Sequence, residues 1–314
     1  MTVADAHITL CVDLDGTLIR TDLLHEGLLK AAKSAPHKLP SLFAALKGGK
    51  ASFKHALAEL IRIDPTLLVY RPEVMALINE ARDKGRSVVL CTASPALFGK
   101  AVADHLGLFE AVMTSTSDIN LAARHKAAAL VNKFGEGNFD YIGNSKHDAP
   151  IFASCRRGYL VSSNGRLRRV CSANQRDMLF INDPATNALT WMKAMRVHQW
   201  VKNLLIFLPL LAGHQVGDMN RLVQAVLAFA AFSLCASAIY IANDLLDLDA
   251  DRAHKSKRKR PFAAGMIPAS SGVAAIAILL FASFLLATLL PWRFGIVLLG
   301  YVIVTTAYSF ALKR

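Results

Sequence analysis

The sequence predicts two unlike parts, an α/β domain built on a parallel sheet and then about four transmembrane helices. Charged residues interrupt every apolar run before residue 185, whereas long uncharged runs occur after residue 200. The mean hydropathy of +0.35 lies between the values typical of soluble enzymes and of all-membrane chains. With 314 residues, 54% of them hydrophobic, the chain is too apolar for a disordered protein and too long for one small domain.

Residues 1 to about 185 alternate strand-like and helix-like segments, which indicates a parallel α/β sheet. The predicted strands are 7–13, 86–91, 139–142 and 158–161, and the predicted helices are 72–84, 95–106 and 122–133. The first residues contain no basic segment followed by an apolar run, so we predict no signal peptide. Five cysteines without paired spacing exclude a disulfide framework or a zinc site. We expect Cys11 and Cys91 simply to pack inside their strands.

Four apolar runs follow. The runs 222–241, 272–290 and 294–312 are uncharged and long enough to cross a hydrocarbon core of about 30 Å as helices. The run 204–216 is shorter and contains Pro209, but extended back to Trp200 it becomes a fourth candidate span with an interfacial tryptophan. The alternative interpretation is a set of large apolar core helices in a soluble fold.

The distribution of positive charge predicts the membrane topology. Six cations lie between the runs 222–241 and 272–290: Arg252, Lys255, Lys257, Arg258, Lys259 and Arg260. The positive-inside rule makes this loop, residues 244–268, cytoplasmic. Counting spans then puts the α/β domain and the terminal Lys313 and Arg314 on the same side, while Arg293 is a small signal to the contrary. We therefore predict a multi-pass protein of the inner or plasma membrane.

Asp13 and Asp15 leave the first predicted strand as a pair. In an open α/β sheet, sites form at the carboxyl ends of the strands, where two carboxylates two residues apart can face one crevice. Such a pair suits phosphoryl transfer, because one carboxylate can attack phosphorus while the other handles the proton of the leaving group. Gly16 would allow the sharp exit from the strand.

The segment 13–17, which reads DLDGT, resembles the first motif (DxDGT) of the haloacid dehalogenase-like (HAD) phosphohydrolase superfamily. The resemblance extends over about residues 7–165, with Thr92 in VVLCTAS, Lys126 at a helix start and YIGNSKHD at 141–148 in the order of the other motifs. It implies a Rossmann-like domain, residues 1–185, with a helical cap at about 19–85 that selects the substrate.

The HAD resemblance also implies roles. Asp13 would be the nucleophile and Asp15 the general acid/base, and Thr92 and Lys126 would bind the transferring phosphoryl group. Mg²⁺ would lie among Asp13, the Asp15 carbonyl and position 144.

Asn144 departs from the family pattern, GDxxxD, because an amide brings no charge to the cation. We expect weaker Mg²⁺ binding, with Asp148 as a nearby or water-bridged acid that compensates. A phosphatase and a non-catalytic binding domain both stay open as hypotheses for this domain.

A second acidic cluster lies where the run 222–241 meets the cytoplasm. Asp244, Asp247 and Asp251 recur at spacings of three and four, which places them on one face of a helix. Carboxylates suit a divalent metal, and the basic run that follows suits phosphate oxygens, so the pattern predicts a site for a metal-bound diphosphate. The alternative is an ordinary juxtamembrane helix end with a lipid-binding basic loop.

The segment 243–251, NDLLDLDAD, resembles the first acidic motif (NDxxDxxxD) of the UbiA superfamily of intramembrane prenyltransferases. Its flanks, RVHQWVKN at 196–203 and HKSKRKRPFAAG at 254–265, resemble the branch typified by decaprenyl-phosphate phosphoribosyltransferase, with Val197 and Lys255 in place of prolines. In that branch phosphoribosyl diphosphate donates and a polyprenyl phosphate accepts.

The UbiA resemblance implies a site and partners. Mg²⁺–diphosphate would be held by four residues, Asn243, Asp244, Asp247 and Asp251. The substrate contacts would be Lys202, Asn203, Lys257 and Arg260. The implied partners are a lipid-linked polyprenyl substrate, a diphosphate-bearing small molecule and the membrane. The net charge of +13 is then explained by phosphate and membrane rather than by nucleic acid.

The family fold has nine membrane helices and a second acidic cluster, DxxxD. Residues 186–314 offer about four spans and no second cluster, so we expect a C-terminally truncated UbiA-type bundle that alone transfers nothing. Two alternatives stay open, prenylation of an aromatic or quinone precursor and a membrane-anchored HAD phosphatase.

Overall fold

The structure, a computed structural model, describes residues 7–116, 120–173, 175, 177–183 and 186–309. The chain divides into two compact units, Met1–Ala185 and Thr186–Arg314. The described part of the first unit is an α/β fold, and the described part of the second is helical.

A six-stranded parallel sheet forms the centre of the first unit. Its strands are β1 (Thr9–Val12), β2 (Val88–Pro95), β3 (Ala111–Ser115), β4 (Phe139–Gly143), β5 (Arg157–Val161) and β6 (Met178–Ile181). The spatial order is β3-β2-β1-β4-β5-β6, so β1 lies between β2 and β4. The strand order reverses at β1, and in open α/β sheets this is the point where the carboxyl strand ends form a ligand crevice.

The sheet confirms the α/β prediction and adds two strands to it. The four predicted strands correspond to β1, β2, β4 and β5, although β2 begins at Val88 and continues to Pro95. The strands that the sequence did not indicate, β3 and β6, lie at the two edges of the sheet and are mostly half-buried or exposed. Edge strands carry a weaker apolar signal because only part of their surface is covered.

Alternating side chains of the central strands fill two hydrophobic clusters. Leu10 and Val12 belong to the cluster on one face of the sheet, and Cys11 belongs to the cluster on the other. Cys91 joins Cys11, and both thiols are free and fully buried. The end of β1 therefore lies between β2 and β4, with packed side chains on both faces of the sheet.

Helices cover the sheet and fill the connection between β1 and β2. The helices of the first unit are α1 (Leu23–Ser34), α2 (Leu39–Ala44), α3 (Gly49–Leu60), α4 (Pro72–Asp83), α5 (Ala96–Leu106), α6 (Ala123–Phe134), α7 (Ala149–Ser154) and α8 (Gly165–Ser172). The predicted helices 72–84, 95–106 and 122–133 are α4, α5 and α6. The first four helices form a helical insert, residues 23–83, where the sequence predicts a cap.

The second unit contains six α-helices among its described residues: α9 (Ala188–Ala194), α10 (Leu208–Ala212), α11 (Met219–Leu246), α12 (Leu248–Ala253), α13 (Ala269–Ala287) and α14 (Trp292–Ala307). Only α11 and α13 of the described helices are long and apolar enough to cross a membrane. Much of the apolar surface of α13 is exposed, for example Phe281 at 72%, which suits a lipid or protein environment rather than water.

The predicted count of about four spans is not reached by the described residues. The run that contains Pro209 is divided into a 3₁₀ stretch, Val197–Phe207, and the short α10, in which the proline occupies the start of the helix. Helix α14 has 16 residues. The end of the run 294–312, together with Lys313 and Arg314, lies outside the described residues.

Candidate functional site

Asp13 and Lys126 meet at the carboxyl end of β1. The Asp13 N–H donates to the Ile142 oxygen of β4 at 3.0 Å, which holds the residue at the strand end. Lys126, at the start of α6, brings its Nζ to 2.6 Å from Asp13 Oδ1. Both side chains are almost fully buried. Burial alone would lower the pKa of Lys126, but Asp13 and Asp148 outweigh it and raise that pKa, so the lysine stays a cation.

Asp15 is held by donors from β2 and from the helical insert. Its Oδ2 accepts from the Ser94 hydroxyl at 2.6 Å and from the Thr92 hydroxyl at 3.4 Å. Its Oδ1 accepts from the N–H of Leu23 at 2.8 Å. Burial, followed by the charge of Asp22, raises the pKa of Asp15 to about 7. A carboxyl group with such a pKa can both give and take a proton near neutral pH.

Gly16 turns the chain away from β1. Its φ of +72° lies in the left-handed region, which residues with a side chain rarely adopt. A Cβ at this position would lie 2.0 Å from the side-chain nitrogen of Asn144. The Asn144 amide therefore lies against the backbone of the segment 13–17, as the sequence predicts for position 144.

Asp148 organises the loop after β4. Its Oδ2 accepts from the N–H groups of Asn144 and Ser145 at 3.1 and 2.9 Å and from the Ser145 hydroxyl at 3.0 Å. Its Oδ1 accepts from the Tyr141 hydroxyl at 3.0 Å. Oδ2 of Asp148 thus accepts three hydrogen bonds and Oδ1 a fourth, which favours a positioning role for Asp148 over the predicted role as a compensating metal acid.

The first site offers oxygen ligands to a hard cation. The described residues contain no group of three or more His, Cys, Asp or Glu side chains that could hold a metal ion. The predicted set differs in kind, because it combines one carboxylate (Asp13), the main-chain oxygen of Asp15 and an amide oxygen (Asn144). All three are ligand types that Mg²⁺ accepts, and the contact of Asn144 with Gly16 shows that the amide reaches this loop. The set fits Mg²⁺, with a single negative charge.

Tyr141 connects Lys126 to Asp148 through its hydroxyl group. Its buried hydroxyl accepts from Lys126 Nζ at 3.3 Å while donating to Asp148. We expect Tyr141→Phe to leave one buried oxygen of Asp148 without its donor, at a cost of about 1–2 kcal/mol. Hydrogen exchange of the full chain, followed by mass spectrometry, should show faster exchange in peptides from β4 and the loop after it. Unchanged exchange in those peptides would contradict the proposed link.

Two residues of the first site lacked a strong sequence signal. Ser94 stands two positions after Thr92, so strand alternation places both hydroxyls on one face, and this spacing could have revealed it. Lys54 of α3 donates to the Ala93 oxygen at 2.8 Å and to Asn120 Oδ1 at 3.1 Å. Nothing local in the sequence indicates that contact, because it depends on how the helical insert packs.

The second site is built on buried carboxylates at the end of α11. Asp244 and Asp251 are 3% and 2% exposed. Nη1 of Arg260 lies 3.1 Å from Asp244 Oδ1 and 2.7 Å from Asp251 Oδ2, so one nitrogen joins the two acids. Nη2 of Arg196 lies 2.5 Å from Asp244 Oδ1. Carboxylates and guanidinium groups are therefore in direct ion-pair contact at this end of α11.

The acids do not share one continuous helix, so that prediction is wrong. Helix α11 ends at Leu246, and Asp247 stands between α11 and α12 with φ −103° and ψ 16°. Two i→i−4 hydrogen bonds nevertheless cross the junction, from Asp247 N to Asn243 O and from Asp251 N to Asp247 O. The break therefore leaves the three-and-four spacing close to helical geometry.

The remaining predicted residues lie in different settings. Oδ1 of Asn243 accepts from the Ser309 hydroxyl at 2.6 Å. Asn203 donates to the Ser233 hydroxyl at 2.9 Å, some three turns of α11 away from Asp244. Lys202 and Lys257 are exposed. Of the four predicted substrate contacts, the structure brings Arg260 to the acids.

Arg196 is a residue of the second site that the predicted set omits. It adopts a left-handed backbone conformation, φ 51°, and its guanidinium also lies over the ring of Tyr240 at 5.1 Å. Non-glycine residues in this region are strained and persist where the surroundings hold them. Its position in the segment 196–203, beside the predicted Lys202, was the available signal.

Two family models match different parts of the chain. A model described as haloacid dehalogenase-like hydrolase matches residues 10–153, and a model described as the UbiA prenyltransferase family matches residues 204–314. The first part of the chain is therefore similar to HAD-like hydrolases, and the last part is similar to UbiA prenyltransferases. Both names describe families of enzymes.

Individual relatives cover the chain unequally. An uncharacterized protein of Sinorhizobium fredii, y4nM, is 37% identical over 311 residues, which cover 99% of this chain and 60% of that protein. A decaprenyl-phosphate phosphoribosyltransferase of Mycolicibacterium smegmatis is 39% identical over 127 residues, which cover 39% of this chain and 40% of that enzyme. The structure of a predicted phosphatase from Clostridium acetobutylicum is 17% identical, with a TM-score of 0.41, over 56% of this chain and 94% of that one. The chain thus spans 40–60% of the length of these two sequence relatives.

Proposed function

We propose that the N-terminal unit is a Mg²⁺-dependent phosphomonoester hydrolase. The observation that carries this proposal is the assembly of Asp13, Lys126, Asp15 and Thr92 at one edge of the sheet. The 2.6 Å contact between Asp13 and Lys126 supports it, because the proposed nucleophile needs a cation beside it for the phosphoryl oxygens. Asp15, with its pKa raised to about 7, is a suitable proton carrier.

The contacts suggest how the residues divide the reaction. Asp13 attacks phosphorus, the bond from phosphorus to the leaving oxygen breaks, and Asp15 gives that oxygen its proton. Asp15 then takes a proton from water, whose oxygen attacks phosphorus and releases inorganic phosphate from Asp13. Lys126 and Thr92 hold the phosphoryl oxygens throughout. Mg²⁺, held by Asp13, the Asp15 carbonyl and Asn144, would supply positive charge for the transferring group.

For the C-terminal unit we propose binding of a Mg²⁺–diphosphate by the acids at the end of α11. Asp244 and Asp251 supply buried carboxylates, Asn243 and Asp247 complete the motif, and Arg260 and Arg196 are available for phosphate oxygens. The chemistry we favour is transfer of phosphoribose from phosphoribosyl diphosphate to a polyprenyl phosphate. The 39% identity to the mycobacterial phosphoribosyltransferase over 127 residues supports it.

A second candidate is prenylation of an aromatic or quinone precursor, in which the same acids hold the lipid's diphosphate. The two reactions differ in which substrate carries that diphosphate. Binding of phosphoribosyl diphosphate to the full chain in lipid nanodiscs, competed by inorganic diphosphate but not by a prenyl diphosphate, supports the first. Preference for the prenyl diphosphate supports the second.

The two units suggest sequential chemistry. Phosphoribosyl transfer leaves a 5′-phosphate on the lipid-linked sugar, and a tethered hydrolase can remove it. We expect the full chain with Mg²⁺ to release inorganic phosphate from lipid-linked phosphoribose. Release no greater than that of an Asp13→Asn variant would reject this function and favour a non-catalytic binding role for the N-terminal unit.

Asn144→Asp tests the proposed metal site. The substitution restores a carboxylate among the Mg²⁺ ligands, so we expect the Mg²⁺ concentration that gives half-maximal phosphate release to fall about 10-fold or more. The matched control is His147→Asp, which adds the same charge to an exposed position of the same loop. Equal effects of the two substitutions would show general electrostatics rather than ligation.

We further propose that this protein lies in the plasma membrane. Its basic loop and its N-terminal unit then face the cytoplasm. The cations at 252–260 support this orientation. All five native cysteines are buried, so Ser256→Cys provides a single exposed thiol. A membrane-impermeant maleimide should label it in inverted vesicles and not in intact cells. Labelling in intact cells would reverse the orientation.

A further inference from the structure

Lys54 is a cation that the helical insert brings to the end of β2. It lies on α3, and its Nζ donates to the main-chain oxygen of Ala93 and to Oδ1 of Asn120. Ala93 stands between Thr92 and Ser94, whose hydroxyls both contact the proposed general acid/base. Lys54 therefore adjoins the phosphoryl site, although it belongs to none of the four HAD motifs.

Lys54 and Lys126 differ in the charge of their hydrogen-bond partners. Lys126 has a direct carboxylate partner, Asp13, at 2.6 Å. The two hydrogen-bond partners of Lys54 are uncharged oxygens. Burial lowers the pKa of Lys54, and the charges of Asp15 and Asp22 offset this only in part. A half-buried ammonium beside neutral oxygens gains more from an incoming anion than one already in a tight ion pair.

Lys54 reaches the site from a different element than the residues assigned to the transferring phosphoryl group. In the proposed reaction that group is held by Lys126 of α6 and Thr92 of β2. Lys54 comes from α3 of the helical insert and contacts the main-chain oxygen of Ala93, next to Thr92. Because the transferring group already has its cation in Lys126, we assign Lys54 to a second anionic group of the same substrate.

We infer that Lys54 binds a second phosphate group of the substrate, so that the N-terminal unit selects sugar phosphates bearing a phosphodiester near the monoester it hydrolyses. This inference rests on the proposed hydrolase function. Lipid-linked phosphoribose belongs to that class, because the 5′-monoester and the diester to the lipid lie on one sugar ring. A purely structural tether between the insert and β2 is the competing role.

Two soluble probes differing only in the second group separate these roles. One is methyl riboside 5-phosphate, and the other carries a methyl phosphodiester at C1 of ribose 5-phosphate. The experiment uses the full chain in nanodiscs with Mg²⁺ and with Asp13 retained, and it follows release of inorganic phosphate from each probe. The KM for the diester probe should be about 10-fold or more lower than that for the riboside probe. Lys54→Met should bring the two KM values close together, and Lys54→Arg should retain most of the preference.

The outcomes distinguish the inference from the function on which it rests. A preference that survives Lys54→Met, or equal KM values for the two probes before any change at Lys54, overturns the assignment of Lys54 while leaving the hydrolase intact. Absence of phosphate release from either probe overturns both. Hydrogen exchange of α3 and β2 peptides controls for loss of the tether, since a structural role predicts faster exchange with both KM values raised equally.

Discussion

Asp13→Asn should reduce phosphate release by at least about 10³-fold, because an amide cannot form the covalent bond to phosphorus. The same change leaves Lys126, which is 3% exposed, without its carboxylate partner. Removing one partner of a buried ion pair costs about 3 kcal/mol or more. We therefore expect faster hydrogen exchange in peptides from β1 and α6, measured on the full chain alongside the rate of phosphate release.

A double substitution separates the chemical effect from the structural one. Asp13→Asn combined with Lys126→Met removes both charges of the pair, so part of the exchange protection should return. Activity should not return, since both the nucleophile and the phosphoryl-binding cation are then missing. Activity in the double variant above that of Asp13→Asn would contradict the assigned roles.

Asp251→Asn and Asp244→Asn should each weaken Mg²⁺-dependent binding of phosphoribosyl diphosphate by about 100-fold or more. Each change removes a buried carboxylate that contacts Arg260 at 2.7 or 3.1 Å, and the loss of one partner in such a buried charged group costs several kcal/mol. The measurement is isothermal titration of the full chain in nanodiscs, with and without Mg²⁺.

Asp249→Asn is the matched control for the second site. It removes the same charge from the same segment, but within α12 the helical spacing places position 249 on the opposite side from position 251. Binding should change by less than about 3-fold, because the contacts of Arg260 with Asp244 and Asp251 stay in place. If Asp249→Asn weakens binding as much as Asp251→Asn does, the site is a diffuse acidic surface rather than the proposed metal–diphosphate cradle.

The sequence predicts where the residues of the first site lie because every motif follows a strand or opens a helix next to one. Parallel strands bring their carboxyl ends to one edge, so Asp13 after β1 and Thr92 near the end of β2 must converge once the sheet forms. Lys126 then needs only the helix that the pattern 122–133 indicates. Lys54 escapes prediction because its place depends on how the helical insert folds back, which no local pattern encodes.

At the second site, the spacing of Asp244 and Asp251 indicated that they converge, and the structure joins them through Arg260, one of the predicted contacts. Arg196 comes from a separate segment, and its contact with Asp244 depends on tertiary packing. Asn203 shows where the sequence pattern and the contact differ. Its place in the segment 196–203 suggested a substrate contact, whereas its side chain donates a hydrogen bond to Ser233 of α11.

The most direct test of the proposed hydrolase function follows the phosphoryl group itself. The full chain is mixed with lipid-linked phosphoribose labelled with ³²P at the 5′-position, in the presence of Mg²⁺, and quenched in acid within a single turnover. We expect transient label on the peptide that contains Asp13, followed by labelled inorganic phosphate, with neither in Asp13→Asn. Inorganic phosphate that appears without passing through Asp13, or label that stays on the lipid, would contradict it.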